Sequence, residues 1–259
     1  LDQISTEHPI IFTRACGHVL VCNSAALERA GITAETPQPA GASIDHDENG
    51  EPNGILRESG AIAMVMAIIP EKTAADYEKS IRAAMDYALS LGVTSVQSND
   101  IKDTNYAEMF RAYETVTHAG NAARVYHQCC FTEIPNFRAF LADGYRTGYG
   151  DDHNKIGPLK LFVDGSLGAR TAKMRSPYAD DPTTTGITVM DQDYLDEICS
   201  IAAEHDMSVA THAIGDEAAE MILNAYEKTI PDSSNPMRNG IIHCQITDLP
   251  ILERFKKSN

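Results

Sequence analysis

Basic side chains are scarce in this sequence: 21 Lys and Arg stand against 37 Asp and Glu, a formal net charge of −16 over 259 residues. Phosphate binding needs clustered Lys and Arg, so the shortage argues against a nucleic-acid surface. Long apolar runs are missing as well. No stretch approaches the ~20 residues of a membrane span. The opening LDQISTEHP lacks the basic start and apolar segment of a secretory leader. Six cysteines contain no C-x-x-C pair and no regular framework. Most fall in apolar strand or helix patterns, which predicts reduced, buried thiols and a cytoplasmic protein. An initiator Met is lacking and ITDLPILERFKKSN stops inside a helix-like pattern. On that basis the chain is expected to be an excised piece of a longer protein.

What is present is an ordinary soluble composition, 43% hydrophobic and 22% charged, with enough chain for one large α/β domain or two smaller ones. Residues 10–22 read as one or two short strands around Gly17, and Asn23 caps a short helix that stops at Gly31. The stretch 33–54 is rich in Pro, Gly, Asp and Asn and reads as hairpin or surface loop. From Thr73 the pattern becomes regular. Helices over 73–91, 105–120, 191–206 and 215–230, with a further one in IPNFRAFLADG, alternate with strands over 93–98, 123–131, 157–165, 207–213 and 238–245. Repeats of roughly 30 to 35 residues imply parallel strands with right-handed crossovers. This predicts an N-terminal portion of short strands and loops over residues 1–70. It also predicts a partial barrel of about five strands over residues 71–259, too few to close eight.

The run PLKLFVDGSLGARTA (158–172) places Lys160 inside an apolar strand, where a charged amine is costly unless paired or altered. Three readings stay open for it. Lys160 snorkels its amine out of the strand end, or serves as a base or Schiff-base former, or reacts with CO₂ to give an anionic carbamate. Asp164 either orients a neighbour or caps the turn. Arg170 or the loop's backbone amides could hold an anionic or carbonyl group of a substrate. The loop is neither a Walker A loop nor a G-x-S-x-G elbow. His212, in SVATHAIGD, and His243, in GIIHCQ, each end a strand, where parallel α/β barrels gather reactive groups. One such histidine alone is more often a hydrogen-bonded core residue. Two in parallel placement point to metal ligation. His18 and Glu58 are candidates to reach the same site from the N-terminal portion.

Taken as a set, these motifs resemble the amidohydrolase superfamily, in its YtcJ-like "amidohydrolase 3" branch. K-L-F-V-D-G-S-L-G-A-R-T-A, H-A-I-G-D at 212–216 and I-I-H-C-Q at 241–245 match in order. G-H-V-L-V-C-N-S-A-A-L at 17–27 and G-E-P-N-G-I-L-R-E at 50–58 extend the likeness over nearly the whole chain. The resemblance implies an α/β fold, part of a (β/α)₈ TIM barrel of the metal-dependent hydrolase type. It implies one or two divalent ions, zinc foremost, with Lys160 (carbamylated), His212 and His243 as metal-binding and catalytic residues. The substrate is expected to be a small amide-like molecule cleaved at a non-peptide C–N bond. His18, Glu58, Asp164 and Arg170 are the expected substrate-binding residues. Open strand edges predict a homo-oligomer. The family's H-x-H and its strand-8 aspartate are not in this sequence, so the piece alone is expected to be inactive. A regulatory relative that keeps the fold without the chemistry is the alternative.

Overall fold

Short strands in the first 57 residues pair locally, because tight turns at Gly17 and at residues 47–51 fold neighbouring segments back on each other. A computed structural model describes residues 1–70, 72–103, 105–230 and 234–258. In it β1 (Ile11–Thr13), β2 (Val19–Cys22), β3 (Ser43–His46) and β4 (Pro52–Arg57) form an antiparallel sheet in the order β1-β2-β4-β3. Helix α1 (Ser24–Ala30) is capped by the Asn23 side chain, which accepts from the Ala26 N–H. Helix α2 (Glu58–Met66) follows β4 directly. Leu20, Ile44, Leu56, Ala61 and Val65 make the small core beneath this sheet.

The alternating part builds the second sheet, all parallel, as expected. Its strands β5 (Ser95–Ser98), β6 (Arg124–Cys130), β7 (Asn154–Phe162), β8 (Val209–Ala213) and β9 (Gly240–His243) lie in sequence order. Helix α3 (Ala74–Ser90) precedes them, and α4 (Tyr106–His118), α5 (Ile134–Ala142), α6 (Gln192–Glu204), α7 (Asp216–Thr229) and α8 (Leu249–Ser258) intervene or follow. The fold is α/β, with a five-stranded part-barrel sheet beside an antiparallel one. Phe131, Phe137, Phe140, Ile156, Leu159, Leu195 and Ile198 are wholly buried between the parallel strands and their helices. The Thr73 capping box, with Asp76 answering at the third helical position, starts α3 where the sequence puts it.

Several boundaries differ for physical reasons. Within the stretch read as loop, residues 43–46 form β3, held on β4 by pairing rather than by hydrophobic alternation. Strand β7 begins three residues before Gly157-Pro158. A register shift that sets Gly157 and Pro158 of β7 opposite Gln128 of β6 spares Pro158, which has no N–H, a ladder partner. A Cβ at Gly157 would stand 2.6 Å from Tyr126 Cε1, so only glycine lets the two strands pass. Strand β9 ends at His243, because His243 and Cys244 take φ values of +76° and +47° and turn the chain away. All six cysteines are free, but only Cys22, Cys129 and Cys199 are buried; Cys16 is exposed. Among the described residues no helix is long and apolar enough to cross a membrane.

Candidate active site

Strand alternation turns Lys160 inward. It is 4% exposed, beside Cys130 on β6 and Ala210 on β8. Its Nζ donates to the Leu161 carbonyl at 2.8 Å and stands 3.4 Å from the Phe162 ring centroid. Burial draws the amine down to about 7, against the opposing pull of Cys130 and Asp164. The snorkelling reading is thereby corrected: the head group stays inside, where one carbonyl and one ring face replace its water.

Two residues past β7, Asp164 is fully buried and works as an acceptor hub. Its Oδ2 accepts from the N–H groups of Lys173 (3.0 Å) and Gly215 (2.8 Å), and Ile214 N–H reaches Oδ1 at 3.0 Å. The remaining bond decides its role. Nδ1 of His212 lies 3.0 Å from Asp164 Oδ1, and since a carboxylate can only accept, Nδ1–H donates. Asp164 orients a neighbour. His212 Nε2 is left buried with no hydrogen-bond partner among the described residues.

His243 closes the group from β9, its ring 4.8 Å from that of His212. Partial burial lowers its pKa first, and the neighbouring His212, Lys160 and His18 reinforce the shift. Its left-handed backbone is the kind of strain that clusters at functional sites.

The antiparallel sheet contributes from the other side. Glu58, 3% exposed, opens α2 at φ +62°, and its Oε2 accepts from His18 Nδ1 at 2.8 Å. The His18 ring then lies 5.2 Å from that of His212. Three further contacts join this sheet to the loop after β7. Arg57, paired with Asp45, donates to the Ala169 carbonyl at 3.2 Å. Arg14 packs on Gly168, and Glu58 packs on Gly165. A Cβ at Gly165 would be 2.2 Å from Glu58 Oε1 and 2.1 Å from Thr171 Oγ1, which explains the D-G-S run.

Thus Lys160, Asp164, His212, His243, His18 and Glu58 converge. Arg170 does not join them: its guanidinium is half-exposed and bound to Asp180 at 2.9 Å. His127, the strand histidine left without a role, is buried between Ser98 and Asn154 as a core residue. Four buried side-chain atoms among the described residues lack a partner: Glu58 Oε1, Asn99 Oδ1, Ser166 Oγ and His212 Nε2. Asn99 follows β5, Ser166 follows β7, His212 is on β8 and Glu58 rests on Gly165. Unsatisfied buried groups are rare in folded proteins, and here they gather at one end of one sheet. Asn99 and Cys130 were not legible as site residues; their only signal is position at or just beyond a strand end, and D-G-S-L-G gave Ser166 only a weak nucleophile signal.

The donor chemistry fits a divalent ion. A buried imidazole nitrogen faces inward while a carboxylate fixes the other nitrogen, the arrangement that metal-binding histidines use. Lys160 and His243 supply the other candidate donors. The fit is to part of a site, because the described residues hold no cluster of three or more His, Cys, Asp or Glu able to bind a metal by themselves.

Comparison with known proteins gives the family. The amidohydrolase-family protein YtcJ of Bacillus subtilis (strain 168) is 34% identical over 257 residues, 98% of this chain and 47% of its own. An N-substituted formamide deformylase of Arthrobacter pascens is 24% identical over 88% of this chain and 42% of its own. A crystal structure of an uncharacterized metal-dependent hydrolase from Pyrococcus furiosus superposes with a TM-score of 0.70 at 32% identity, covering 99% of this chain and 50% of that one. The chain therefore spans about half the length of the relatives it matches. A family model described as "Amidohydrolase family" matches residues 1–259, and the chain belongs to that family.

Proposed function

We propose that this chain supplies the lysine- and histidine-bearing strands of a metal-dependent hydrolase that cleaves a non-peptide C–N bond of a small amide-like molecule. The observation that carries the reading is His212: Nδ1 locked by Asp164, Nε2 buried and unpartnered. Lys160, His212 and His243 would hold the ion, zinc being suited to imidazole donors, with Lys160 as its carbamate. Such an ion lowers the pKa of water and polarises a carbonyl. The chain's own groups do the rest. Asp164 fixes the His212 tautomer, and Glu58 fixes the His18 ring beside it. His18, Glu58 and Asp164 form the polar wall against which an amide group is oriented, and Arg170 tethers the loop rim through Asp180. Free thiols throughout favour a reducing cytoplasm. The β5 and β9 edges favour self-association. By this reading the chain alone is inactive.

Elemental analysis of the full-length protein tests the assignment. Lys160→Ala and His212→Ala should each lose most of the bound metal, with the fold retained by circular dichroism. Unchanged metal content in both variants would remove Lys160 and His212 from the site.

A further inference from the structure

Two cavities adjoin along the outer face of α2. The inner one, about 460 Å³, includes His18, Glu58, Asn99 and Phe162 in its wall, together with the oppositely charged Lys102 and Asp103. The outer one, about 540 Å³, is walled by Met190 and Tyr194 together with Glu133 and Asp191. Ser59, Ala63, Thr132 and Val189 line both, forming a common waist. On α2 the exposed small residues Ser59 and Ala63, one turn apart, share one helix face, so the helix presents only short side chains there. The inner chamber ends at the site already described. Phe162 carries the Lys160 amine on its ring and lies 5.4 Å from the His212 ring, centroid to centroid. An independent observation marks that end as a ligand wall: Glu58 is almost wholly buried, yet its Oε1 has no donor.

We propose that this two-chambered cleft is the substrate site, and that it takes an amide whose non-reacting substituent is extended and carries no negative charge. The inference rests on the amidohydrolase reading above. Each chamber is within the roughly 300–1,000 Å³ range of small-molecule pockets, so the pair has room for a reacting amide in one and a long substituent in the other. The substituent passes the waist at Ala63, where the helix offers only a methyl group. Charge decides its nature. Two acidic residues and no Lys, Arg or His line the outer chamber, and the whole chain carries −16. Such a field repels an anionic tail and tolerates a neutral or cationic one.

The test is a ligand-observed NMR titration of the full-length protein with acetamide and three N-alkylacetamides of equal length, ending in methyl, ammonium or carboxylate. The methyl- and ammonium-tailed amides should bind at least tenfold more tightly than the carboxylate-tailed one. Ala63→Phe should weaken the two long amides at least tenfold and leave acetamide unchanged, with Ala63→Leu between. Ala63 is exposed on the helix, and Ala63→Leu decides the matter if the phenylalanine variant fails to fold. An unaltered long-to-short ratio in the folded variant overturns the waist, and equal binding of the carboxylate-tailed amide overturns the charge preference; both leave the amide reading standing. A wild-type full-length protein that binds none of the four overturns the amide reading and this inference with it.

Discussion

The two sheets deliver side chains to the site by different means. In the parallel sheet, Lys160, His212 and His243 come from strand ends, aimed by backbone alternation and the shared direction of the strands. In the antiparallel sheet, His18 sits just before β2, and Glu58 is swung inward by a left-handed backbone at the β4–α2 junction. That conformation costs of order 1–3 kcal/mol for a non-glycine residue. The neighbouring contacts to Gly165 and His18 hold it in place. Lys160 and His212 are thus positioned by regular structure, whereas Glu58 on the antiparallel side, like His243 at the edge strand β9, is positioned by strain, and the loop after β7 is where the two sheets meet.

The largest effect should come from breaking the parallel side at Asp164. Asp164→Ala removes the acceptor of Lys173, Gly215, Ile214 and His212 at once. Buried donors left without partners make a loss of about 3–5 kcal/mol the expectation, read from urea unfolding. If the sheets are positioned independently, amide exchange should rise at 164–173 and 212–216 and stay unchanged at 19–22 and 52–57. A uniform rise across both sheets would show one mechanism where we describe two.

Gly165→Ala strikes the meeting point. Its methyl group would lie 2.1 Å from Thr171 Oγ1 and 2.2 Å from Glu58 Oε1, so one side must give. Overpacking of this kind costs about 1–3 kcal/mol. Because Glu58 is the strained partner, the yield should appear there: exchange should rise at 18–22 and 57–60 more than at 209–213. The opposite ranking would mean that the parallel strands, rather than the antiparallel junction, are the softer element.

The same division explains what the sequence made legible. Lys160 could be recognised because an amine in an apolar strand violates a simple pattern, and His212 and His243 because strand ends have a known function in such folds. Asp164 could not be assigned, since the choice between capping a turn and holding a histidine depends on β8, 48 residues away. Glu58 and His18 were only candidates. Nothing in G-I-L-R-E announces a positive φ, which arises from packing against Gly165 and a backbone bond from Glu58 N–H to the His18 carbonyl. Arg170 had the right chemistry, but Asp180, in the same long loop, occupies its guanidinium. Local pattern reveals residues that break a regular element; it is silent on residues whose role depends on a distant partner.

The smallest expected effect is a slope with pH, and it isolates the core of the parallel sheet from its site. His127 on β6 has no exposure; Ser98 O–H donates to Nδ1 (2.7 Å), and Nε2–H donates to Asn154 Oδ1 (2.6 Å). Tyr113 and Phe110 pack edge-on against the ring. Burial, the largest influence, holds its pKa below the ordinary 6.5, with Asn154 and Asp100 opposing. Since the folded value is depressed, the unfolded chain binds more protons in the window between the two values. Stability should therefore be complete above about 6.5 and fall as pH drops through the folded value. Protonation would also place a proton on Nδ1, where the Ser98 hydroxyl now points its own. Urea unfolding of the wild type and His127→Gln between about pH 7.5 and 5 measures the term, because histidines elsewhere contribute equally to both chains. The wild type should lose stability more steeply below pH 6.5. Parallel slopes would mean that the neutral ring of His127 is not what the sheet requires, and that its two hydrogen bonds outlast protonation.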